Sequence, residues 1–390
     1  MNMKCQRCQN EDPRFFYQDH GVYYCRKCIS FSRLDVGEQV RPCQLRRRIL
    51  SVRPTLQYEL TSAQKKASDQ VVCFLKQGFD VFVYAATGAG KTEMTFASIC
   101  FYLSQGKKVC FSISRRQVVL EIAQRLRVAF PQLEIVEVTQ GYTQKIDGDI
   151  IVCTMHQLYR YPYGFDLLIM DEIDAYPYVE NPLLKAIAKQ ACIGQRLCLS
   201  ATPDQESQTL IEQGKMKVVT LFQRPHKQPL VVPKVMQCSS LCQLVYIFYF
   251  CFQQVQKQKQ VLLYVPRRFD CIWMHGLLYP FFKVSSIHSK TKDKDEIMKA
   301  FREHQYDILV CTTLLERGIT VGSVQVIVYQ GQHIVFTSAS LIQIFGRVGR
   351  TFQDPKGEGV CLCQYASKSI KECVKQIQWM NDSVGSVKKT

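Results

Sequence analysis

The run Ala85-Ala86-Thr87-Gly88-Ala89-Gly90-Lys91-Thr92 follows an apolar stretch, Val81-Phe82-Val83-Tyr84, and precedes a helix-like segment over 93–103. Strand, glycine loop and helix in that order make a cradle for phosphate. Backbone N–H groups of Thr87, Gly88, Ala89 and Gly90, with the positive end of the helix behind them, can face an anion. Lys91 can reach β- and γ-phosphates, and the Thr92 hydroxyl can hold Mg²⁺. Ala85 stands where the G-x-x-x-x-G-K-[ST] pattern has its first glycine; Gly88, Gly90, Lys91 and Thr92 keep the chemistry of the loop.

Asp171-Glu172-Ile173-Asp174 follows a second apolar strand-like run over 166–170. A carboxylate pair at the end of a buried strand suits the other half of phosphoryl transfer. Asp171 is placed to hold Mg²⁺ through water. Glu172 is placed to orient and deprotonate an attacking water. Asp174 is expected to tie this loop to its neighbours.

Cys5-x-x-Cys8 and Cys25-x-x-Cys28, separated by sixteen residues, have the spacing of a four-thiolate zinc site built from two knuckles. Such an ion holds together a segment too small to bury a core of its own. His20 is near, but four thiolates already complete a structural site. A reducing cytosol argues against disulfides, and the doubled motif argues against a redox Cys-x-x-Cys. Other thiols, such as Cys100, Cys110, Cys153, Cys198 and Cys311, sit inside apolar runs and read as reduced core thiols of a cytoplasmic protein. Lys4, Arg7, Arg14, Arg26 and Lys27 around the knuckles suit nucleic acid, or only a solvated face.

At 390 residues the chain exceeds what one hydrophobic core usually supports, so two or three domains are expected. With 47% hydrophobic residues it has the composition of a folded protein. Its 50 Lys and Arg against 33 Asp and Glu give a formal charge of +17, which implies a polyanion partner. Nucleic acid comes first, an anionic membrane surface second and a merely basic soluble protein third. Met1-Asn2-Met3-Lys4-Cys5 leads into polar residues, so no secretory signal is read. The most apolar run, 241–252, is interrupted by Gln243 and is too short to span a bilayer; it reads as a buried helix.

The elements that must position these residues alternate between strand-like and helix-like runs. Residues 1–40 form the four-cysteine module and 41–59 a basic linker with Arg41, Arg46, Arg47, Arg48 and Arg53. Residues 60–225 hold one α/β domain, with strands over 109–113, 150–153, 166–170 and 196–199 and helices over 114–130 and 183–190. Pro225, Pro229 and Pro233 mark a link. Residues 226–390 hold a second α/β domain, with strands over 261–265, 284–287, 307–311 and 324–329 and a charged helix over 291–303.

Ser200-Ala201-Thr202, after the strand over 196–199, resembles the third motif of superfamily 2 helicases. The run from Thr312 through Gly318 to Thr320 resembles their fifth motif. Gln343-Ile344-Phe345-Gly346-Arg347-Val348-Gly349-Arg350 is similar to their sixth. Leu60-Thr61 with Gln64 looks like the upstream adenine-reading glutamine. The resemblance covers residues 60–365 in the family's order. With the cysteine module in front, the whole resembles the ComFA family of late competence proteins of naturally transformable Gram-positive bacteria, and more distantly the primosomal helicase PriA. Three features depart from RNA-type DEAD-box proteins. Ile113-Ser114-Arg115-Arg116-Gln117 replaces their Pro-Thr-Arg-Glu-Leu, and Thr320 stands where they carry Asp. The glutamine region lacks its upstream aromatic, with Tyr58 close by.

The resemblance implies two tandem RecA-like parallel-sheet domains behind a zinc-ribbon-like module, with ATP, Mg²⁺ and Zn²⁺ as cofactors. Gln343, Arg347 and Arg350 would face ATP held by Lys91, Thr92, Asp171 and Glu172. Arginines in that role contribute about 10³–10⁵ in rate. Gly318 would let backbone approach the nucleotide or the nucleic acid closely. A single strand would meet Ser114, Arg115, Arg116, Thr139, Gln140, Gly141 and Thr154 in the first domain, and Arg267, Arg268 and Thr312 in the second. Those contacts would be mostly to phosphate and blind to sequence. His156 reads either as a further contact or as a packed turn histidine. The implied activity is an ATP-driven motor, single or oligomeric, that moves single-stranded DNA during uptake at the inner face of the cell membrane. A phosphoribosyltransferase-like competence partner and the uptake channel are its implied partners. A repair, restart or RNA helicase is the second reading, and an ATP-switched zinc-containing nucleic-acid-binding protein the third.

Overall fold

Short, fully apolar strands rich in Val, Ile, Leu and Cys cannot face water, and in this chain they lie inside two parallel sheets. The computed structural model describes residues 3–313 and 324–386. By their mutual contacts the residues form two units, Met1–Ala85 with Lys91–Leu221, and Ala86–Gly90 with Phe222–Thr390.

The first unit opens with an antiparallel hairpin, β1 (Phe16–Asp19) and β2 (Val22–Cys25). Its main sheet contains β3 (Asp80–Ala85), β4 (Val109–Ile113), β5 (Ile135–Val138), β6 (Ile150–Thr154), β7 (Phe165–Asp171), β8 (Cys192–Ser200) and β9 (Met216–Leu221). All neighbours are parallel, in the order β5-β6-β4-β7-β8-β3-β9. Parallel strands need crossovers, which α1 (Ser62–Lys76), α2 (Lys91–Met94), α3 (Phe96–Leu103), α4 (Arg116–Ala129), α5 (Pro182–Ala191) and α6 (Gln205–Glu212) help to form. Capping sets where these helices begin. Thr61 and Gln64 make a reciprocal capping box ahead of α1, and Asn181 with Pro182 opens α5. Along α4 the buried positions Val118, Val119, Ile122, Ala123, Leu126 and Ala129 trace one helical face.

Residues 41–60 strap this unit rather than hang from it. Cys43 N–H donates to Pro162 O at 2.8 Å, Leu50 N–H to Leu103 O at 2.9 Å and Thr55 N–H to Ala129 O at 2.8 Å. Arg46 pairs with Glu134 and Arg47 with Asp166, and Arg48 places Nη2 2.6 Å from each oxygen of Asp149. Lys108, only 2% exposed, donates to Arg46 O at 2.9 Å and Asp147 Oδ1 at 2.6 Å beneath the strap. The charges of Arg46, Arg47 and Arg48 are therefore paired locally.

In the second unit, β10 (Lys234–Gln237), β11 (Gln260–Tyr264), β12 (Val284–Ile287), β13 (Ile308–Cys311), β14 (Val324–Val328) and β15 (Gly359–Cys363) form a parallel sheet in the order β10-β15-β14-β11-β13-β12. Its helices are α7 (Ser240–Gln256), α8 (Arg268–Leu278), α9 (Lys294–Arg302), α10 (Ser338–Phe345) and α11 (Lys368–Ser386). The expectation of a buried helix over 241–252 needs correction. In α7, Ile247, Phe250 and Cys251 are buried, but Leu241, Val245, Tyr249 and Phe252 are exposed. A helix packed on one side of a sheet buries one stripe only. An apolar run that goes all round it leaves the opposite stripe in water. No helix among the described residues is long and apolar enough to cross a membrane.

At Gly194, in β8, a Cβ would lie 2.1 Å from Asp166 O. The pairing of β7 with β8 shifts register between Phe165 and Leu167, so the strands approach too closely there for a side chain. Gly194→Ala is expected to destabilise the protein by about 1–3 kcal/mol, read as a lower urea midpoint.

Candidate active site

The phosphate loop leaves β3 with Gly88 at φ +80° and Gly90 at φ +79°, values that glycine adopts freely and other residues do not. Lys91 opens α2, with Nζ 3.8 Å from Asp171 Oδ1. Asp171 is the last residue of β7. Burial pushes its carboxyl up to about 6; Lys91 opposes that shift and Glu172 adds to it. A carboxylate held out of water beside a lysine suits a hard divalent cation, which would relieve the desolvation.

Glu172 sits at φ +56°, a left-handed conformation costing a non-glycine residue of order 1 kcal/mol. Its N–H donates to both Asp171 Oδ1 and Leu199 O at 2.9 Å. Its Oε2 is buried with no hydrogen-bond partner among the described residues. Packing alone does not account for a buried carboxylate oxygen left without a donor. Asp174 ties β7 to β8 as its place in the motif suggests: Thr202 Oγ1 donates to Asp174 Oδ2 at 2.8 Å, and Thr202 N–H to Ser200 Oγ at 3.3 Å. The Gln64 carbonyl is engaged locally, accepting from Thr61 N at 2.9 Å.

The loop Ala86–Gly90 belongs by its contacts to the second unit. Thr87 Oγ1 donates to Gln343 Oε1 at 3.0 Å, and Gln343 Nε2 is buried without a partner among the described residues. A Cβ at Gly346 would come 2.6 Å from Thr87 Cβ, so only glycine fits this approach. Arg347 is 3% exposed. The Arg350 chain lies against Gly88, where a Cβ would meet its Cγ at 3.3 Å. Arg224 is buried here too, and no motif spacing announced it. Burial, reinforced by the Arg350 charge, pulls its guanidinium down to about 10, so it stays charged at neutral pH. Gly318 lies outside the described residues.

The proposed nucleic-acid residues of the first unit gather where β4, β5 and β6 end. Arg116 is exposed at the start of α4, its guanidinium 5.6 Å from the Tyr142 ring centroid. Gln140 and Gly141 tip a tight turn closed by Thr139 and Tyr142, with Tyr142 N–H donating to Thr139 O at 2.8 Å. Arg115 is half-buried beside them, whereas Ser114, Thr139 and Thr154 are buried. His156 is half-buried and stacks on Phe31 of the cysteine module with ring centroids 6.4 Å apart. In the second unit, Arg267 and Arg268 are exposed at the start of α8, with Arg267 Nε 3.3 Å from His333 Nε2. Thr312 follows β13.

Cys5, Cys8, Cys25 and Cys28 are all buried, with their Sγ atoms within 4.8 Å of one another. The Cys5–Cys28 and Cys8–Cys25 sulfur pairs are each 3.6 Å apart. Four thiolates around zinc at about 2.3 Å would have edges of about 3.8 Å, so the donor set and its size fit that ion. Leu34, Phe16, Phe31, Val40 and Leu183 back the cluster. Leu183 belongs to α5, and Gln190 of the same helix donates to Gln6 O at 2.9 Å, which seats the module on the first unit.

Residues 61–210 match the DEAD/DEAH box helicase family, and residues 237–352 match the helicase conserved C-terminal domain. The fold and the site thus define an ATP-hydrolysing helicase or translocase of superfamily 2. RecG bound to a three-way DNA junction aligns with a TM-score of 0.59 at 21% identity, over 83% of this chain and 45% of that one, in keeping with two RecA-like domains. The chain is 31% identical to Competence protein ComFA of Streptococcus pneumoniae, over 98% of this chain and 91% of that protein. It is 31% identical to Competence protein ComFA of Bacillus subtilis, over 99% and 87%. The chain belongs to the ComFA family of competence proteins.

Thr202→Val removes the donor to Asp174. It is expected to cost about 1.5 kcal/mol of stability, seen as a lower urea midpoint at unchanged slope.

Proposed function

We propose that this protein is an ATP-driven motor on single-stranded DNA that serves DNA uptake in competent cells. The observation that carries the reading is the Lys91–Asp171–Glu172 arrangement at the ends of neighbouring elements, in a chain of the ComFA family. Thr87, Gly88, Ala89, Gly90 and Lys91 bind the phosphates, and Gln64 reads the adenine. Thr92 and Asp171 hold Mg²⁺, which neutralises phosphate charge when bound. Glu172 Oε2, lacking a protein donor, accepts a proton from the attacking water. Gln343 orients the γ-phosphate end, and Arg347 and Arg350 stabilise the charge on the transferring phosphoryl group. The same reading assigns Gly318 to close backbone approach.

Single-stranded DNA is gripped through phosphate by Arg115, Arg116, Gln140, Gly141, Arg267, Arg268 and Thr312, with Ser114, Thr139 and Thr154 shaping the surface beneath. Cys5, Cys8, Cys25 and Cys28 hold a structural zinc ion. The partners are a phosphoribosyltransferase-like competence protein and the uptake channel, met at the inner face of the membrane.

Single-stranded DNA is expected to stimulate ATP hydrolysis more than duplex or RNA; stimulation by RNA alone would overturn the reading. Glu172→Gln is expected to lower the rate at least about 10²-fold while a fluorescent ATP analogue still binds. The log affinity for single-stranded DNA should fall against log salt with a slope of about −0.7 per phosphate contacted, and a flat response would contradict phosphate-based grip.

Metal analysis is expected to find about one zinc per chain, lost in the Cys25→Ser, Cys28→Ser double variant. Nucleotide binding should survive that loss, because the module packs on His156, Tyr159 and α5.

A further inference from the structure

Arg224 lies in the proline-containing segment that the sequence marks only as a link, yet it is 1% exposed and heads the largest fully buried side chains. Its hydrogen bonds all go to main-chain carbonyls. Nε donates to Thr87 O at 3.0 Å, Nη1 to Val348 O at 2.8 Å and Gly349 O at 2.9 Å, and Nη2 to Gly346 O at 2.6 Å. No carboxylate among the described residues pairs with it. A charge buried without a counter-ion is held only where its donors are strongly needed. Here four carbonyls of buried residues in two tight turns converge on one side chain, and its guanidinium donates to all of them.

Each carbonyl belongs to a planar peptide whose N–H points the opposite way. Fixing Thr87 O therefore aims the Gly88 N–H. Fixing Gly346 O and Gly349 O sets the peptides that carry Arg347 N and Arg350 N. The close approaches agree with this: Gly346 leaves no room for a Cβ beside Thr87, and a Cβ at Gly88 would meet Arg224 Nε at 3.6 Å.

We propose that Arg224 is a positioning residue for phosphoryl transfer, holding the phosphate loop at Thr87 and the turn 346–350 in one backbone geometry. The Gly88 N–H and the Arg347 and Arg350 side chains are thereby presented together. The inference rests on the nucleotide being bound by the 87–92 loop. Only a guanidinium meets the geometry. A lysine carries the same charge on a single nitrogen and cannot serve four separated carbonyls.

The test uses the full chain with Arg224→Lys and Arg224→Ala, reading single-stranded-DNA-stimulated ATPase, binding of a fluorescent ATP analogue, the urea midpoint and amide hydrogen exchange. Arg224→Lys is expected to lower kcat about 10²-fold with a smaller change in the KM for ATP, in a sample whose urea transition shows it folded. Exchange should rise in 86–90 and 346–350 together. In Arg224→Ala, millimolar guanidinium should recover part of the lost rate. An unchanged kcat in Arg224→Lys overturns the proposal. So does a loss that tracks the unfolded fraction and resists guanidinium rescue, since that would be a purely structural arginine. If the wild-type protein itself hydrolyses no ATP, the functional reading fails, and exchange then decides the arginine: joint deprotection of both segments supports the anchoring, unchanged protection overturns it.

Discussion

A parallel strand buried on both faces can carry polar chemistry only where it ends. β4, β6, β11, β13, β14 and β15 are buried at every position. Their side chains are apolar or small apart from Tyr264 and two glutamines near the strand starts, Gln260 and Gln325, which are hydrogen-bonded where they lie, so other polar chemistry is displaced to the strand ends. The phosphate loop follows β3, Ser114 follows β4, and Thr154 ends β6. Asp171 ends β7, Ser200 ends β8, and Thr312 follows β13. These residues, scattered through the sequence, come to corresponding edges because strands in parallel register all finish on the same side. The sheet order then sets which of them are neighbours. β7 lies between β4 and β8, so Asp171 pairs in register with Ile113 on one side and Leu199 on the other.

Crowding chemistry at strand ends has a cost in the backbone. Chain that must turn sharply there adopts unusual dihedrals and leaves peptide groups without ladder partners. Gly88 and Gly90 absorb this in the phosphate loop because they lack a Cβ. Glu172 cannot, and its left-handed conformation is stabilised by two acceptors for one N–H, Asp171 Oδ1 and Leu199 O. The carbonyls of Thr87, Gly346, Val348 and Gly349 are satisfied by Arg224. The strained backbone at Glu172 and the turn carbonyls are thus stabilised by specific donors and acceptors, while Glu172 Oε2 and Gln343 Nε2 stay without partners among the described residues.

The strand-end constraint explains what could be read from the chain in advance. A run of four or five apolar residues followed by Gly-Lys-Thr, Asp-Glu or Ser-Ala-Thr shows both the strand and its chemistry, because residue type and position coincide. The paired Cys-x-x-Cys knuckles were legible for a similar reason: ligand spacing is local. The rest depended on tertiary partners. Nothing near Arg224 in sequence indicates that four carbonyls converge on it. The left-handed turn at Glu172 has no signature in Asp-Glu-Ile-Asp. The run 241–252 hid its amphipathicity, because Leu241, Val245, Tyr249 and Phe252 are as apolar as the residues they leave buried behind them. His156 left two readings open, and only the fold brings it against the ring of Phe31, far off in sequence.

The positive excess shows the same division between what is local and what is not. A count of arginines reports a sum, but the role of each is set by its surroundings. Arg46, Arg47 and Arg48 meet Glu134, Asp166 and Asp149 and fasten a strap, so the densest basic run in the first unit adds little to a field felt by a polyanion. Arg14 and Arg33 in the cysteine module likewise pair with Asp12, Asp19 and Asp35. Arg224, 1% exposed and with no carboxylate partner among the described residues, acts as a rigid fork of donors. Arg116, Arg267 and Arg268 are exposed at helix starts next to strand ends, where a phosphate backbone could reach them. The clusters most visible in the sequence are therefore not where unpaired positive charge stands.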